Sequence, residues 1–289
     1  MNATSFFQHE IPHEFDSVYV VESLPKFELR TGRDLYDRVI HPKCTRRGLH
    51  SHFLAPVTAR EFLAALKLIE GEVSHASLSP IIHFEAHGDR SGLGLASGEY
   101  VPWIQMVGQL RGLNVLSRFN LLVVLASCSG WWIEQILNPA EPAPMWGLIG
   151  PRDRVTVSDV ATGFPAFYTE FLESCNGRLA MVALNRSPLG MPWVYGFRSA
   201  ANHFRTAWRS FFLAPPPDRD RRTQEIIQAL TDAFGEVVQA EHIEAHIRER
   251  LQRPDAFVQT FAERYFMYEL IPENRSRFPV SWSEIGKDG

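Results

Sequence analysis

Ile81-Ile82-His83-Phe84-Glu85-Ala86-His87-Gly88-Asp89 and Leu121-Leu122-Val123-Val124-Leu125-Ala126-Ser127-Cys128-Ser129-Gly130 are short apolar runs, each ending in a reactive side chain with glycine close behind. Runs of this length, rich in β-branched and aliphatic residues and bounded by turn formers, read as strands buried on both faces. An imidazole closes the first and a thiol the second. The step between them is 128 − 87 = 41 residues. One helix and one strand fill that interval and make the two strands neighbours in a parallel sheet.

The flanking sequence continues the alternation. Residues 17–21 read as a strand, 33–40 as a helical turn or two, and 53–57 as a second strand. Thr58 with Glu61 three residues on is a capping box for a helix over 59–73. That helix carries Phe62, Leu63, Leu66 and Ile69 at helical spacing, which marks its buried face. The glycine-punctuated stretch 91–100 reads as a hairpin. It is followed by a helix over 102–116, the strand 120–127, a helix over 131–137 and a strand over 146–149. Ser158 or Asp159 caps a helix running to about residue 174. Strands alternating with amphipathic helices imply an α/β/α sandwich of three layers with a mostly parallel central sheet. Sites in such sheets form at the carboxyl ends of strands, where both His87 and Cys128 fall.

Beyond residue 190 the pattern changes. An aromatic and arginine-rich stretch holds Trp193, Tyr195, Phe197, Phe204, Trp208, Phe211 and Phe212, which read as core. The segment 215–222 reads as a proline-stiffened polar linker, and 223–270 as two or three helices. The expected organisation is a domain over 1–190 and a helical extension over 191–289, packed on it or part of it. There is no internal repeat.

Composition narrows the function classes. With 289 residues, 45% of them hydrophobic, the chain buries a large core. A net charge of −4 leaves no basic excess for a nucleic-acid partner. The longest apolar region, 121–133, is interrupted by Ser127, Ser129 and Gly130 and falls short of the ~20 residues of a membrane helix. The first ten residues have neither a basic start nor an apolar stretch, so no signal peptide is expected. Cys44, Cys128 and Cys175 are too few, odd in number and too scattered for a disulfide framework. A reducing cytoplasm, where a free thiol serves as nucleophile, is the expected setting.

A cysteine nucleophile requires its thiolate, which a nearby imidazole and a helix N-terminus both favour. Cys128 has both within reach. Gly88 and Gly130 allow backbone to approach a substrate, and the amides of Gly88 and Cys128 are the expected oxyanion donors. His83 and His87 share a strand face with Glu85 between them. The order His-Phe-Glu-Ala-His lacks the zinc-peptidase spacing and has no third ligand near it, so no metal is expected. His242 and His246, four apart on a helix beside Glu241 and Glu244, read as a solvated face. Trp131 and Trp132 either wall the substrate cleft or pack beneath it. A serine hydrolase built on Ser127 or Ser129 fits poorly, because no Gly-x-Ser-x-Gly elbow is present.

The blocks His83-Phe84-Glu85-Ala86-His87-Gly88 and Ala126-Ser127-Cys128-Ser129-Gly130, followed by Val157-Ser158-Asp159-Val160-Ala161-Thr162 and Phe167-Tyr168, resemble the CHAT-domain family of caspase-like cysteine peptidases. The resemblance spans roughly residues 50–190. It implies a caspase-like fold and a Cys-His dyad that cleaves protein substrates without metal or cofactor. His87 would be the general base and Cys128 the nucleophile. Many CHAT domains carry an acid directly after the cysteine, and this chain has Ser129. In clan members that prefer a basic P1 residue an acid lines the pocket, which points to Asp153 or Asp159. Arg152 and Arg154 would instead favour an acidic one. The family also implies activation by a separate regulatory protein or a ligand, and a role in prokaryotic antiviral defence. The rival expectation is a binding scaffold of the same fold with a latent or inactive dyad.

Overall fold

The computed structural model describes residues 3–5, 12–186, 194–234, 239–251 and 253–285. The chain divides into two compact units: Met1–Leu137 with Pro144–Ser199, and Asn138–Ala143 with Ala200–Gly289. Trp193, assigned above to the aromatic stretch, lies outside the described residues.

The first unit opens with an antiparallel pair, β1 (Ala3–Ser5) and β2 (His13–Phe15). Next come β3 (Ser17–Ser23) and α1 (Thr31–Leu35), which continues through a π turn into α2 (His41–Arg47). Then follow β4 (His50–Leu54), α3 (Ala59–Ala76), β5 (Pro80–Gly88), the hairpin β6 (Gly92–Gly94) and β7 (Tyr100–Pro102), α4 (Trp103–Leu116) and β8 (Leu122–Leu125). A 3₁₀ turn at Gly130–Ile136 leads to β9 (Gly147–Pro151), α5 (Val157–Ser174), α6 (Gly177–Leu184) and β10 (Tyr195–Ser199). The main sheet runs β10-β9-β8-β5-β3-β4. Every pair along it is parallel except β10 with β9.

Alternation along the strands sends side chains to two different helical layers. Tyr19, Val21, Ile82, Phe84, Val123 and Leu125 join one apolar core with Phe62, Leu66, Ile69 and Val73 of α3 and Trp103, Met106, Leu110 and Leu113 of α4. On the other face His83 meets the rings of Phe164 at 4.8 Å and Tyr168 at 5.6 Å, both on α5. Phe15 stacks on Phe171 of the same helix. Burying one such side chain stabilises by about 1.5–3 kcal/mol, so cover on both faces contributes strongly to holding the sheet. This is the three-layer sandwich that the alternating pattern implies. The Thr58–Glu61 capping box starts α3 as the sequence indicates.

The chain winds from β3 outward to β4, then crosses back to β5 and proceeds the other way through β8 and β9. The segment leaving β3 therefore leads to α1, which contacts α5, while the segment leaving β5 leads to α4 in the opposite layer. Neighbouring strands whose exits diverge leave a crevice at their carboxyl ends. His87 lies at that crevice.

The second unit is helical, with α7 (Ala200–Leu213), α8 (Pro216–Phe234), α9 (Ala240–Leu251), α10 (Pro254–Tyr265), α11 (Asn274–Arg277) and α12 (Trp282–Ile285). Its aromatic residues are core: Trp208 lies 4.8 Å from Phe261 and 5.2 Å from Phe257, and Phe204 lies 5.0 Å from Tyr265.

Three local expectations are corrected. Residues 216–222 are the first turns of α8 and not a linker. Proline is tolerated in a first helical turn, Asp218 lies in the first turn where it suits the helix dipole, and Arg221 pairs with Glu225 one turn on at 2.6 Å. The segment 131–137 is 3₁₀ in place of α, entered from Ser129 in a left-handed conformation. The cap of α5 is Thr156, with Asp159 as its reciprocal partner at the third helical position.

Candidate active site

One face of β5 carries a polar ladder that runs from core to solvent. His83 is fully buried and donates or accepts through Nε2 to Glu85 at 3.3 Å, while its Nδ1 faces the Tyr168 hydroxyl at 3.4 Å. Glu85, also buried, accepts from the Thr31 hydroxyl at the start of α1. Its cross-strand neighbour Glu22 accepts from the backbone N–H groups of Gly32 at 3.0 Å and Arg33 at 3.1 Å, and pairs with Arg30. A carboxylate on those first N–H groups satisfies donors that a helix leaves open and complements its dipole. Gly32 leaves room for both acids: a Cβ there would stand 2.9 Å from Glu85 Oε2 and 3.2 Å from Glu22 Oε1, so a carboxylate would have to shift.

Burial pushes the Glu85 carboxyl above the usual carboxylate range, with Glu22 adding to the shift and His83 opposing it. Between the ordinary value of about 4.3 and the raised one, the folded chain holds a proton that the unfolded chain releases. Stability therefore falls as pH rises through that window. Replacing Glu85 by Gln keeps the shape and removes the titration. Melting temperatures measured across pH are expected to decline with rising pH in the wild type relative to Glu85→Gln; parallel curves would show that Glu85 does not titrate there.

His87 tops the ladder, with an exposed side chain. Its Nε2 lies 2.9 Å from one Glu28 carboxylate oxygen and 3.1 Å from the other. The hairpin β6–β7 pairs with the strand end, His87 with Gly94 and Gly88 with Leu93. Asp89 fastens that hairpin by accepting from the Tyr100 hydroxyl and from the Ser91 and Gly92 N–H groups, which hold its carboxyl below the usual range.

Cys128 follows β8, in register beside β5, with the Ala126 N–H donating to the Phe84 carbonyl at 2.8 Å. The turn beyond it is tight. Ser129 has φ +56° and donates its N–H to the Asp153 carbonyl at 3.1 Å, and the Gly130 N–H returns to the Ser127 carbonyl. A non-glycine residue in the left-handed region costs roughly 1–2 kcal/mol, which the surrounding bonds offset. Among the described residues the Cys128 N–H has no acceptor. The thiol, half-buried, donates to the Val155 carbonyl at 3.6 Å.

The two strand ends touch through glycine. A Cβ on Gly88 would stand 2.6 Å from the Cys128 carbonyl oxygen and 3.0 Å from Ser127 Cβ. So the backbones of the His-Gly and Ser-Cys steps are in contact, while the imidazole and thiol share no hydrogen bond. Of the other residues singled out from the sequence, Asp153 is exposed and its Oδ1 accepts from the Arg154 N–H. Asp159 Oδ2 accepts from the Thr156 N–H and hydroxyl, so its carboxylate serves the cap of α5. The Trp131 ring lies against Gly196 of β10, where a Cβ would approach it to 2.5 Å. It carries the Arg152 guanidinium at 5.2 Å and that of Arg198 at 5.8 Å. Among the described residues no group of three His, Cys, Asp or Glu is placed to hold a metal ion, and no helix is long and apolar enough to cross a membrane.

No family model and no curated protein matches the chain. Among solved structures it is similar to the Drosophila initiator caspase Dronc. The identity is 9% and the TM-score 0.46, over 64% of this chain and 80% of that one. Neither an activity nor membership of the CHAT-domain family follows from that overlap. Sequence reasoning missed Glu28. Nothing in residues 24–30 marks it; it lies on the segment between β3 and α1, whose far end is held by Glu22 through Arg30, Gly32 and Arg33 and by Glu85 through Thr31.

Proposed function

We propose that the chain is a cysteine endopeptidase in which Cys128 attacks the scissile carbonyl and His87 manages the protons. The observation that carries this reading is the contact of Gly88 with the Cys128 carbonyl, which sets an imidazole-bearing and a thiol-bearing strand end side by side. The Cys128 sulfur forms a bond to the carbonyl carbon as its proton passes to His87. The oxyanion is held by the Cys128 N–H, with that of Gly88 as second donor. Collapse breaks the C–N bond, and the imidazolium protonates the departing amine. Water, deprotonated by His87, then cleaves the thioester and restores the thiol.

Substrates are proteins, and no cofactor enters these steps. Asp153, on the segment that binds Ser129, is proposed to face the P1 residue, with Trp131 beside it and Asp159 behind the cap it serves. Arg152, stacked on Trp131, is the element that would reverse the preference toward an acidic residue. Control by a separate activating protein or ligand, a cytoplasmic setting and a role in antiviral defence rest on the family resemblance alone.

A second reading has an observation in its favour. The thiol donates to Val155 and the imidazole to Glu28, with no bond between them, as in a scaffold whose dyad is latent. Proteome-wide mapping of new N-termini, wild type against Cys128→Ala, separates the two. The peptidase yields Cys128-dependent cuts that share a P1 preference. Their absence, even with partner proteins added, leaves the scaffold.

A further inference from the structure

We infer that Glu28 is the third member of the site, a positioning residue that holds the His87 ring and its charge; this rests on the peptidase reading above. Three observations carry it. The first is geometric: both carboxylate oxygens of Glu28 lie within hydrogen-bond distance of His87 Nε2. With Nε2–H donating to Glu28, Nδ1 becomes the nitrogen available to take a proton from the thiol. A carboxylate in that position also stabilises the imidazolium that the reaction forms, the role of the acid in other nucleophile–base–acid triads.

The second is the inversion of the loop. Phe27 is 89% exposed and Leu29 71%, while Glu28 between them is turned inward with a side chain 31% exposed. Burial of apolar surface would favour the reverse, so the loop backbone and not hydrophobic burial sets this orientation.

The third is that the backbone is fastened at both ends. At the strand end, the Ser23 hydroxyl donates to the Pro56 carbonyl at 2.7 Å and accepts from the Ala96 N–H at 3.0 Å. At the helix end, Glu22 binds Arg30, Gly32 and Arg33. Within the loop the Glu28 N–H donates to the Pro25 carbonyl. The buried acids Glu22 and Glu85 thus act at a distance: they set the course of the chain that delivers Glu28.

The test is the rate of iodoacetamide alkylation of Cys128, read by mass spectrometry against Cys175 in the same chain, across pH. The arms are wild type, His87→Ala, Glu28→Ala, Glu28→Gln and Glu28→Asp. At about pH 7 the rate at Cys128 is expected to fall roughly tenfold in Glu28→Ala and Glu28→Gln, with part retained in Glu28→Asp. At about pH 10, where ordinary thiols of pKa about 8.5 are already ionised, the variants are expected to converge on the wild type. Melting temperatures are expected to stay level, since exposed ion pairs add little stability. Wild-type alkylation in every Glu28 variant, with His87→Ala still slowed, overturns the inference and leaves the dyad standing. An equal slowing at both pH values assigns Glu28 a purely structural part and also overturns it. If His87→Ala too alkylates like the wild type, the dyad itself fails.

Discussion

Replacing His87 with alanine is expected to lower kcat/KM for a peptide spanning a mapped cleavage site by about 10²–10⁴-fold. A free thiol is only a few per cent ionised near neutral pH, and the amine leaving group needs a proton that only a positioned acid supplies. Losing both services costs about 3–5 kcal/mol of transition-state stabilisation. Cys128→Ala is expected to remove turnover entirely, and the double variant to be no worse than Cys128→Ala alone, because the two groups act as a unit. A His87→Ala enzyme within a few fold of wild type would show that the imidazole takes no part.

Gly88→Ala is expected to disrupt the contact between the two strand ends. Its Cβ would stand 2.6 Å from a main-chain oxygen of Cys128, and backbone cannot swing aside as a side chain can. Overpacking of this kind costs about 1–3 kcal/mol, or several degrees in melting temperature for a unit of this size. Relief of the overlap would also part the strand ends, so Cys128-dependent reactivity is expected to fall further than stability does. Gly94→Ala is the control on the paired strand. There the added Cβ meets only His87 Cβ at 3.5 Å, an ordinary contact, so both stability and reactivity are expected to remain near wild type. Equal behaviour of the two variants would mean that the Gly88 contact is not the constraint described.

What could be read in the sequence was what local pattern determines. The run 81–86 is apolar apart from His83 and Glu85, and 121–126 is apolar throughout, so their burial and parallel pairing followed, and the 41-residue step placed them side by side. Thr58 and Glu61 announced α3 because a capping box is local chemistry. What could not be read depends on chain segments distant in sequence. Glu28 lies 59 residues from its histidine, on a segment whose far end is held by two buried acids, and that burial is itself a tertiary fact. Glu22 gave no sign of this, since a polar residue near a strand end is usually solvated. The stretch 216–222 misled for a different reason: proline and charge signal a linker in isolation, yet both suit the first turn of a helix.

The three cysteines permit a direct test of the central claim, that Cys128 and His87 act together. Cys44 is fully buried, and burial pushes its thiol up to about 12, so it serves as an inert reference. Cys175 is the informative competitor, because Arg47 donates to its sulfur at 3.1 Å and gives it a cationic neighbour of its own. Speed of labelling alone therefore does not identify the nucleophile; dependence on His87 does. The measurement is alkylation of all three thiols at neutral pH in wild type and His87→Ala. The account expects labelling of Cys128 to drop sharply in His87→Ala while that of Cys175 is unchanged. An unaltered rate at Cys128 would contradict it.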